Sequence, residues 1–251
     1  MSIIGKVVGG TIGFALGGPL GAIAGAVFGH AFDSNDSQVD AGGSNRLSML
    51  EESQLAFFVS TFSMLAKLTK ADGRLTSEEI DAIEAFAAHD LNLTPASREV
   101  AFNIFNTALD SPASFEDFAV QFYARFRNQP QMIEMMIDIL LRVSVADGSL
   151  TVSEEALILS AVHIFNMRPA RYEQIKSHYW ATSDQAYNVL GCQRSDSNEA
   201  IKRRYRHLVQ AYHPDKIASK GLPDEFTQLA QTKFREIQAA YEDIKKERGL
   251  K

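Results

Sequence analysis

Two segments of this 251-residue chain carry the same turn. LAKLTKADGRLTSEEIDAIEAF (residues 65–86) and LLRVSVADGSLTVSEEALILSAVHIF (residues 140–165) share A-D-G-x-L-T followed by a glutamate pair, with Asp72 and Asp147 75 positions apart. This spacing predicts a duplicated pair of helices. Asp-Gly ends the first helix, with glycine in the left-handed cap, and Leu75 or Leu150 turns inward. Thr76 with Glu79, and Thr151 with Glu154, form T-x-x-E capping boxes that start the second helix. The surroundings keep to helical periodicity. Leu55, Phe58, Val59, Phe62, Leu65 and Ala66 share one helix face, and further helices are predicted over 77–91, 95–109, 114–127, 130–146, 152–166 and 169–179. Pro95, Pro112, Pro130 and Pro169 fall at the breaks, where helix starts tolerate proline. Strand-like alternation is nearly absent, so the fold class is all-α.

The same turn matches the second half of a calcium-binding loop, D-G-x-L-x-x-x-E. The first half is missing, because Leu68 and Lys70, then Val143 and Val145, stand where carboxylates are needed. That argues against an independent loop site. A divalent metal shared by the two repeats would draw on Asp72, Glu78, Glu79, Asp147, Glu154 and Glu155, whereas capping uses some of the same residues without any ion. No other cofactor is expected. The single cysteine, Cys192, excludes an intrachain disulfide and a cysteine-rich zinc site. His89 and His163 are isolated and no nucleophile–base set emerges, so the chain does not read as an enzyme. On the paired A-D-G-x-L...E-E turns, residues 50–178 resemble the tellurite-resistance TerB-like helical domain. That resemblance implies a helical bundle with acidic turns able to bind divalent metal.

Before the linker-like segment DSNDSQVDAGGSNR (residues 33–46), glycine recurs every fourth position at Gly5, Gly9, Gly13, Gly17, Gly21, Gly25 and Gly29. Val7 to Gly29 holds no charged residue, and as a helix it would be about 34 Å long against a bilayer core of about 30 Å. Small-xxx-small spacing permits close helix approach in lipid, whereas in water the glycines disfavour a helix. Residues 1–32 therefore read as a glycine-rich membrane anchor, inserted through residues 3–32, whose stripe could pair copies of the chain. A re-entrant hairpin bent at Gly17-Gly18-Pro19 and a water-soluble oligomerising segment are the alternatives.

Charge is uneven along the chain. The net charge is −6, but residues 183–251 hold 13 Lys/Arg against 10 Asp/Glu, so the C-terminal end presents a basic surface to a partner. There, DQAYNVLG (184–191) is a short helix closed by Gly191. Ser197 starts a second helix with Ile201, Tyr205, Leu208, Val209 and Tyr212 on one face and Lys202, Arg203, Arg204, Arg206 and His207 on the other. His213-Pro214-Asp215-Lys216 follows, then a polar loop and a last helix from about Asp224 to Arg248. Tyr187, Leu190, Gly191, the basic helix, H-P-D and FREIQAAYEDI (234–244) closely resemble the J domain of DnaJ-type co-chaperones. The resemblance implies that His213, Pro214 and Asp215 promote ATP hydrolysis by a DnaK-type chaperone while the basic face, with Lys216, docks. The tyrosines sit at core positions rather than as base-stacking platforms, so no nucleic acid partner is expected.

The chain thus divides into an anchor (1–32), a linker (33–46), a TerB-like helical bundle (47–180) and a J-domain helical hairpin (183–251). This order resembles the membrane-anchored DnaJ-like co-chaperone DjlA family. The resemblance implies a co-chaperone at the bacterial inner membrane, with the J domain facing the cytoplasm where an ATP-using partner works. Lys6 alone before the span would by positive-inside counting favour the opposite side, but one lysine is a weak signal. The competing class is a metal-binding TerB-like stress-response or scaffold protein with the J domain as an accessory.

Overall fold

Residues 49–69 are apolar on nearly every face, and a helix of that kind must be surrounded. In the computed structural model, which describes residues 16–33, 47–73, 75–146, 148–180 and 184–250, this segment is the centre of a helical bundle. The described residues form α-helices, short π and 3-10 turns and no strand. The first helix, α1 (Gly18–Asp33), precedes the central helix α2 (Met49–Thr69). Around α2 stand α3 (Ser77–Ala85), α4 (Pro95–Asp110), α5 (Phe115–Phe126), α6 (Pro130–Ser144) and α7 (Val152–Ile164), with α8 (Pro169–Lys176) beyond α6. Residues 55–66 of α2 are all buried. Phe57 meets Phe122 and Phe126 of α5 edge-on, at centroid distances of 5.7 and 5.8 Å.

The internal duplication is visible in the backbone. Gly73 and Gly148 have φ of +85° and +93°, where a side chain would be strained. Both capping boxes form: the Glu79 and Glu154 amides donate to Thr76 Oγ1 and Thr151 Oγ1, each at 3.2 Å, and the glutamates accept from the threonine amides. The two helix pairs also end alike, with Asn92 and Asn166 both at φ +50° before Pro95 and Pro169 start the next helices.

The described part of the glycine-rich segment, α1, lies on this bundle against α2, α4 and α5. Leu20, Ile23, Ala24 and Phe28 are buried there. Gly18 at φ +64° and Pro19 in the first turn start the helix at the break in the apolar run. The Leu20 amide, one of the donors a helix start leaves open, is satisfied by Gln121 Oε1 at 2.8 Å. Gly21 is needed by its own chain, since a Cβ would run into the Leu16 carbonyl. Gly5, Gly9 and Gly13 of the stripe, and residues 34–46 of the linker, lie outside the described residues. Among the described residues no helix is long and apolar enough to cross a membrane.

The C-terminal helices are α9 (Gln185–Leu190), α10 (Asn198–Ala211), α11 (Pro214–Ala218) and α12 (Thr227–Arg248). Ile201 and Leu208 of α10, with Tyr212 at its end, are buried together with Ile237, Ala240, Tyr241 and Ile244 of α12. Tyr205 and Tyr241 stack with centroids 3.9 Å apart. This hairpin is not a separate body, because buried side chains from Leu20 to Ile244 form one continuous core. Phe226, just before α12, inserts edge-on between Phe57 at 5.0 Å and Phe58 at 6.1 Å. Gly221 lies so close to α2 that a Cβ would sit 2.6 Å from the Ser53 Cβ, and its φ of +95° also calls for glycine. Gln54 then donates to the Leu222 carbonyl at 3.2 Å.

A shared core predicts shared unfolding. Phe226→Ala should destabilise the chain by about 3–5 kcal/mol. Urea transitions followed by Trp180 fluorescence and by far-UV circular dichroism should stay coincident in the parent chain. Two separated transitions there would contradict the single core.

Candidate partner-docking site

One face of α10 is turned away from the seam with the bundle. Lys202, Arg203, Arg206 and His207 on it are exposed. Ser197 caps the helix by accepting from the Ala200 amide at 3.2 Å. Arg204 differs from its neighbours: it is half-buried and donates from Nε to the Leu190 carbonyl at 3.0 Å, holding α9 against α10. The exposed cationic surface is therefore Lys202, Arg203 and Arg206, continued by Lys216.

The turn after α10 is built so that its tip stays outside. His213 is extended (φ −60°, ψ 127°) and Pro214 opens α11, where its missing N–H is no loss. The His213 carbonyl accepts from the Lys216 and Ile217 amides at 2.9 and 3.1 Å, and Ile217 is fully buried beneath. That fixes the backbone while the side chains project. The His213 and Asp215 side chains are 48% and 92% exposed, with Nδ1 and Oδ2 3.9 Å apart. The imidazole packs edge-on against the Phe234 ring at 5.8 Å. Such a turn offers a ring donor or acceptor and a free carboxylate to an incoming surface.

On the side away from the solvent, a chain of buried charges joins α10 and α12 to the bundle. Glu134 of α6 takes both Arg171 Nε and Nη2 at 2.8 Å and accepts from the Tyr212 hydroxyl. One turn on, Asp138 takes Lys233 Nζ at 3.0 Å and the Tyr179 hydroxyl at 3.1 Å. Lys233 Nζ also lies 3.2 Å from His178 Nδ1. Arg142, a further turn along α6, bonds Asp90 at 3.0 Å. The cavity among Glu134, Asp138, Arg171, Tyr212 and Lys233 measures only about 10 Å³, room for about one water. The charges therefore meet directly.

Burial opposes charge on Glu134, but the hydrogen bonds and charge of Arg171, with the Tyr212 bond, hold its carboxyl below the ordinary value. Burial likewise opposes charge on Asp138, and Lys233 and Arg142 outweigh it. Burial and the neighbouring Glu134 push the Tyr212 hydroxyl well up, so it stays a donor. Sequence reasoning took Tyr212 as a core position and missed the rest of this network. One signal was available: Glu134, Asp138 and Arg142 recur every fourth residue on an otherwise apolar helix.

The acidic turns of the bundle are arranged differently. Glu79 and Glu154 are engaged as caps. Glu155 accepts from Lys176 and from the Tyr172 hydroxyl. Asp72 and Glu78 lie at the surface, and Asp147 is outside the described residues. Among the described residues no group of three or more His, Cys, Asp or Glu side chains is placed to hold a metal ion.

Comparison with known proteins covers most of the chain. The family model for the co-chaperone DjlA transmembrane domain matches residues 1–46, that for the tellurite resistance protein TerB residues 58–177, and that for the DnaJ domain residues 185–249. The chain is 31% identical over 246 residues to the co-chaperone protein DjlA of Escherichia coli (strain K12), covering 88% of this chain and 89% of that one. Identity to the co-chaperone protein DjlA of Photobacterium profundum is 31% over 252 residues, covering 88% and 90%. For the Shewanella oneidensis protein of the same name it is 29% over 224 residues, covering 84% and 85%. No solved structure matches the chain significantly.

The seam has a pH signature. Burial first, and then the Lys233 ammonium, push the His178 imidazole down to about 4, against the opposing pull of Asp138. An unfolded histidine titrates near 6.5. Between these values the unfolded chain takes up a proton that the folded chain refuses, so stability falls as pH falls from about 6.5 to about 4, by roughly 3 kcal/mol in all. Glu134 and Asp138, whose folded values are depressed, lose their contribution only at lower pH. Urea unfolding at pH 7.5, 5.5 and 4.5 should show this slope, and His178→Gln should flatten it. An equal slope in both chains would contradict the assignment.

Proposed function

The chain belongs to the DjlA family of co-chaperones, and from that membership we propose that it docks a DnaK-type chaperone on the basic face of α10 and stimulates its ATP hydrolysis through His213, Pro214 and Asp215. The observation that carries this reading is the display of the turn. His213 and Asp215 project from a backbone fixed by Pro214 and by the buried Ile217, on the side of the hairpin that the bundle does not cover. Lys202, Arg203 and Arg206 supply a field that steers an acidic partner surface toward the turn. Lys216 extends that field past the turn. The bond that breaks is in the partner's ATP, so the chain itself remains a co-chaperone and not an enzyme.

The family's transmembrane domain, matched over residues 1–46, supports a membrane tether. In a bacterium the tether would sit in the inner membrane. The J domain would face the cytoplasm, because its partner consumes ATP there. Such a tether concentrates the docking face at the membrane and leaves α10 free to meet a diffusing partner.

The whole chain should raise the single-turnover ATPase rate of a DnaK-type chaperone. His213→Gln should abolish the effect with the circular dichroism spectrum unchanged, since the side chain is half exposed. Arg203→Glu combined with Arg206→Glu should raise the concentration giving half-maximal stimulation by about tenfold, and added salt should mimic it in the parent chain. Full stimulation by folded His213→Gln would sink this reading.

A further inference from the structure

Tyr212 is the residue immediately before the His213-Pro214-Asp215 turn, and its ring is buried. Its hydroxyl leaves the J domain and donates to Glu134 of the bundle. Glu134 cannot swing away, because Arg171 of α8 holds both of its carboxylate oxygens at 2.8 Å. On the far side of α11, Lys220 donates to Gln131 Oε1 at 2.7 Å. Gln131 and Glu134 lie three residues apart on α6, so they share one face of that helix. Beyond Lys220, Gly221 is seated against Ser53. The turn and its short helix are thus pinned before and after by the same face of α6.

From this geometry we infer that the bundle positions the partner-activating turn, with Glu134 as a positioning residue acting through Tyr212. The inference rests on the function proposed above. Glu134 and Arg171 touch no part of the docking face. They set the angle at which α11 leaves α10, and hence where His213 and Asp215 stand relative to Lys202, Arg203 and Arg206. A buried hydroxyl bonded to a carboxylate is directional and strong for its size. Loss of the hydroxyl alone, with the ring kept, releases this tether without opening a cavity. The arrangement also gives the bundle a grip on the turn: a displacement of α6 or α8 carries Tyr212 with it. Docking and activation become separable, the first governed by the exposed cations and the second by the turn's orientation.

The test uses Tyr212→Phe and Glu134→Gln in the whole chain, read in two ways. In the partner's ATPase assay, Tyr212→Phe should lower the maximal stimulated rate by about tenfold while the half-saturating concentration stays within about twofold. Charge reversal on α10 should do the opposite. In hydrogen exchange, the Lys216, Ile217 and Ser219 amides should exchange about tenfold faster in Tyr212→Phe and in Glu134→Gln, with residues 201–210 unchanged. Adding the second substitution to the first should change little, because both cut the same tether. Unchanged exchange at 216–219 overturns the inference, as does a rise in half-saturating concentration in place of the rate loss. If the parent chain fails to stimulate any DnaK-type ATPase, the proposed function falls, and the exchange measurement alone still decides whether Glu134 positions the turn.

Discussion

The Lys233 ammonium and the Asp138 carboxylate meet at 3.0 Å with 11% and 6% of their side chains exposed, one from each side of the domain seam. Separating them without water would leave a bare charge on either side, and breaking a buried pair by losing one partner costs about 3–5 kcal/mol. The pair does not drive association by itself, since its desolvation offsets much of the attraction. It makes the seam specific. Lys233 also lies 3.8 Å from Glu236 on its own helix, but its carboxylate across the seam is Asp138, and that pairing fixes the register of α12 against α6. Phe226 supplies the apolar burial that the ion pair does not, in the pocket of Phe57 and Phe58.

From that seam follows the presentation of the docking face. A J domain joined by a loose segment would sample many directions. Here the hairpin shares its core with the bundle, and its uncovered side carries Lys202, Arg203, Arg206, His213 and Asp215. The two halves divide the work: the bundle answers the buried polar groups of the hairpin, and the exposed charges of the hairpin stay clear of the seam. The N-terminal side follows the same economy of contact, with α1 covering part of α2, α4 and α5 through Leu20, Ile23 and Phe28.

What could be read from the sequence was local. Helix starts at Pro95, Pro130 and Pro169, the capping boxes at Thr76 and Thr151, and the Gly191 cap depend on residues within a few positions of one another, and the structure has them. The display of His213 and Asp215 was legible for the same reason. The seam was not. Tyr212 and Glu134 are 78 positions apart, and Lys233 and Asp138 are 95 apart, so no short-range pattern links them. The extra residue in the second copy shifts its glutamate pair, so the capping residue is the second of the pair at Glu79 and the first at Glu154, as the T-x-x-E spacing predicts. The turn of Glu155 to Lys176 and Tyr172, 21 and 17 positions away, was not legible in that spacing. The packing of α1 on the bundle was also hidden, because an apolar glycine-rich run suits a protein groove as well as a lipid core.

The central claim is that the J domain is a fixed part of one body. Spin labels at Val120 of the bundle and Lys202 of α10, both exposed, in a Cys192→Ser background, measure it directly through pulsed dipolar distance distributions. The account predicts one narrow distance, the same with and without an ATP-loaded DnaK-type partner. A broad or multiple distribution in the free chain would contradict it.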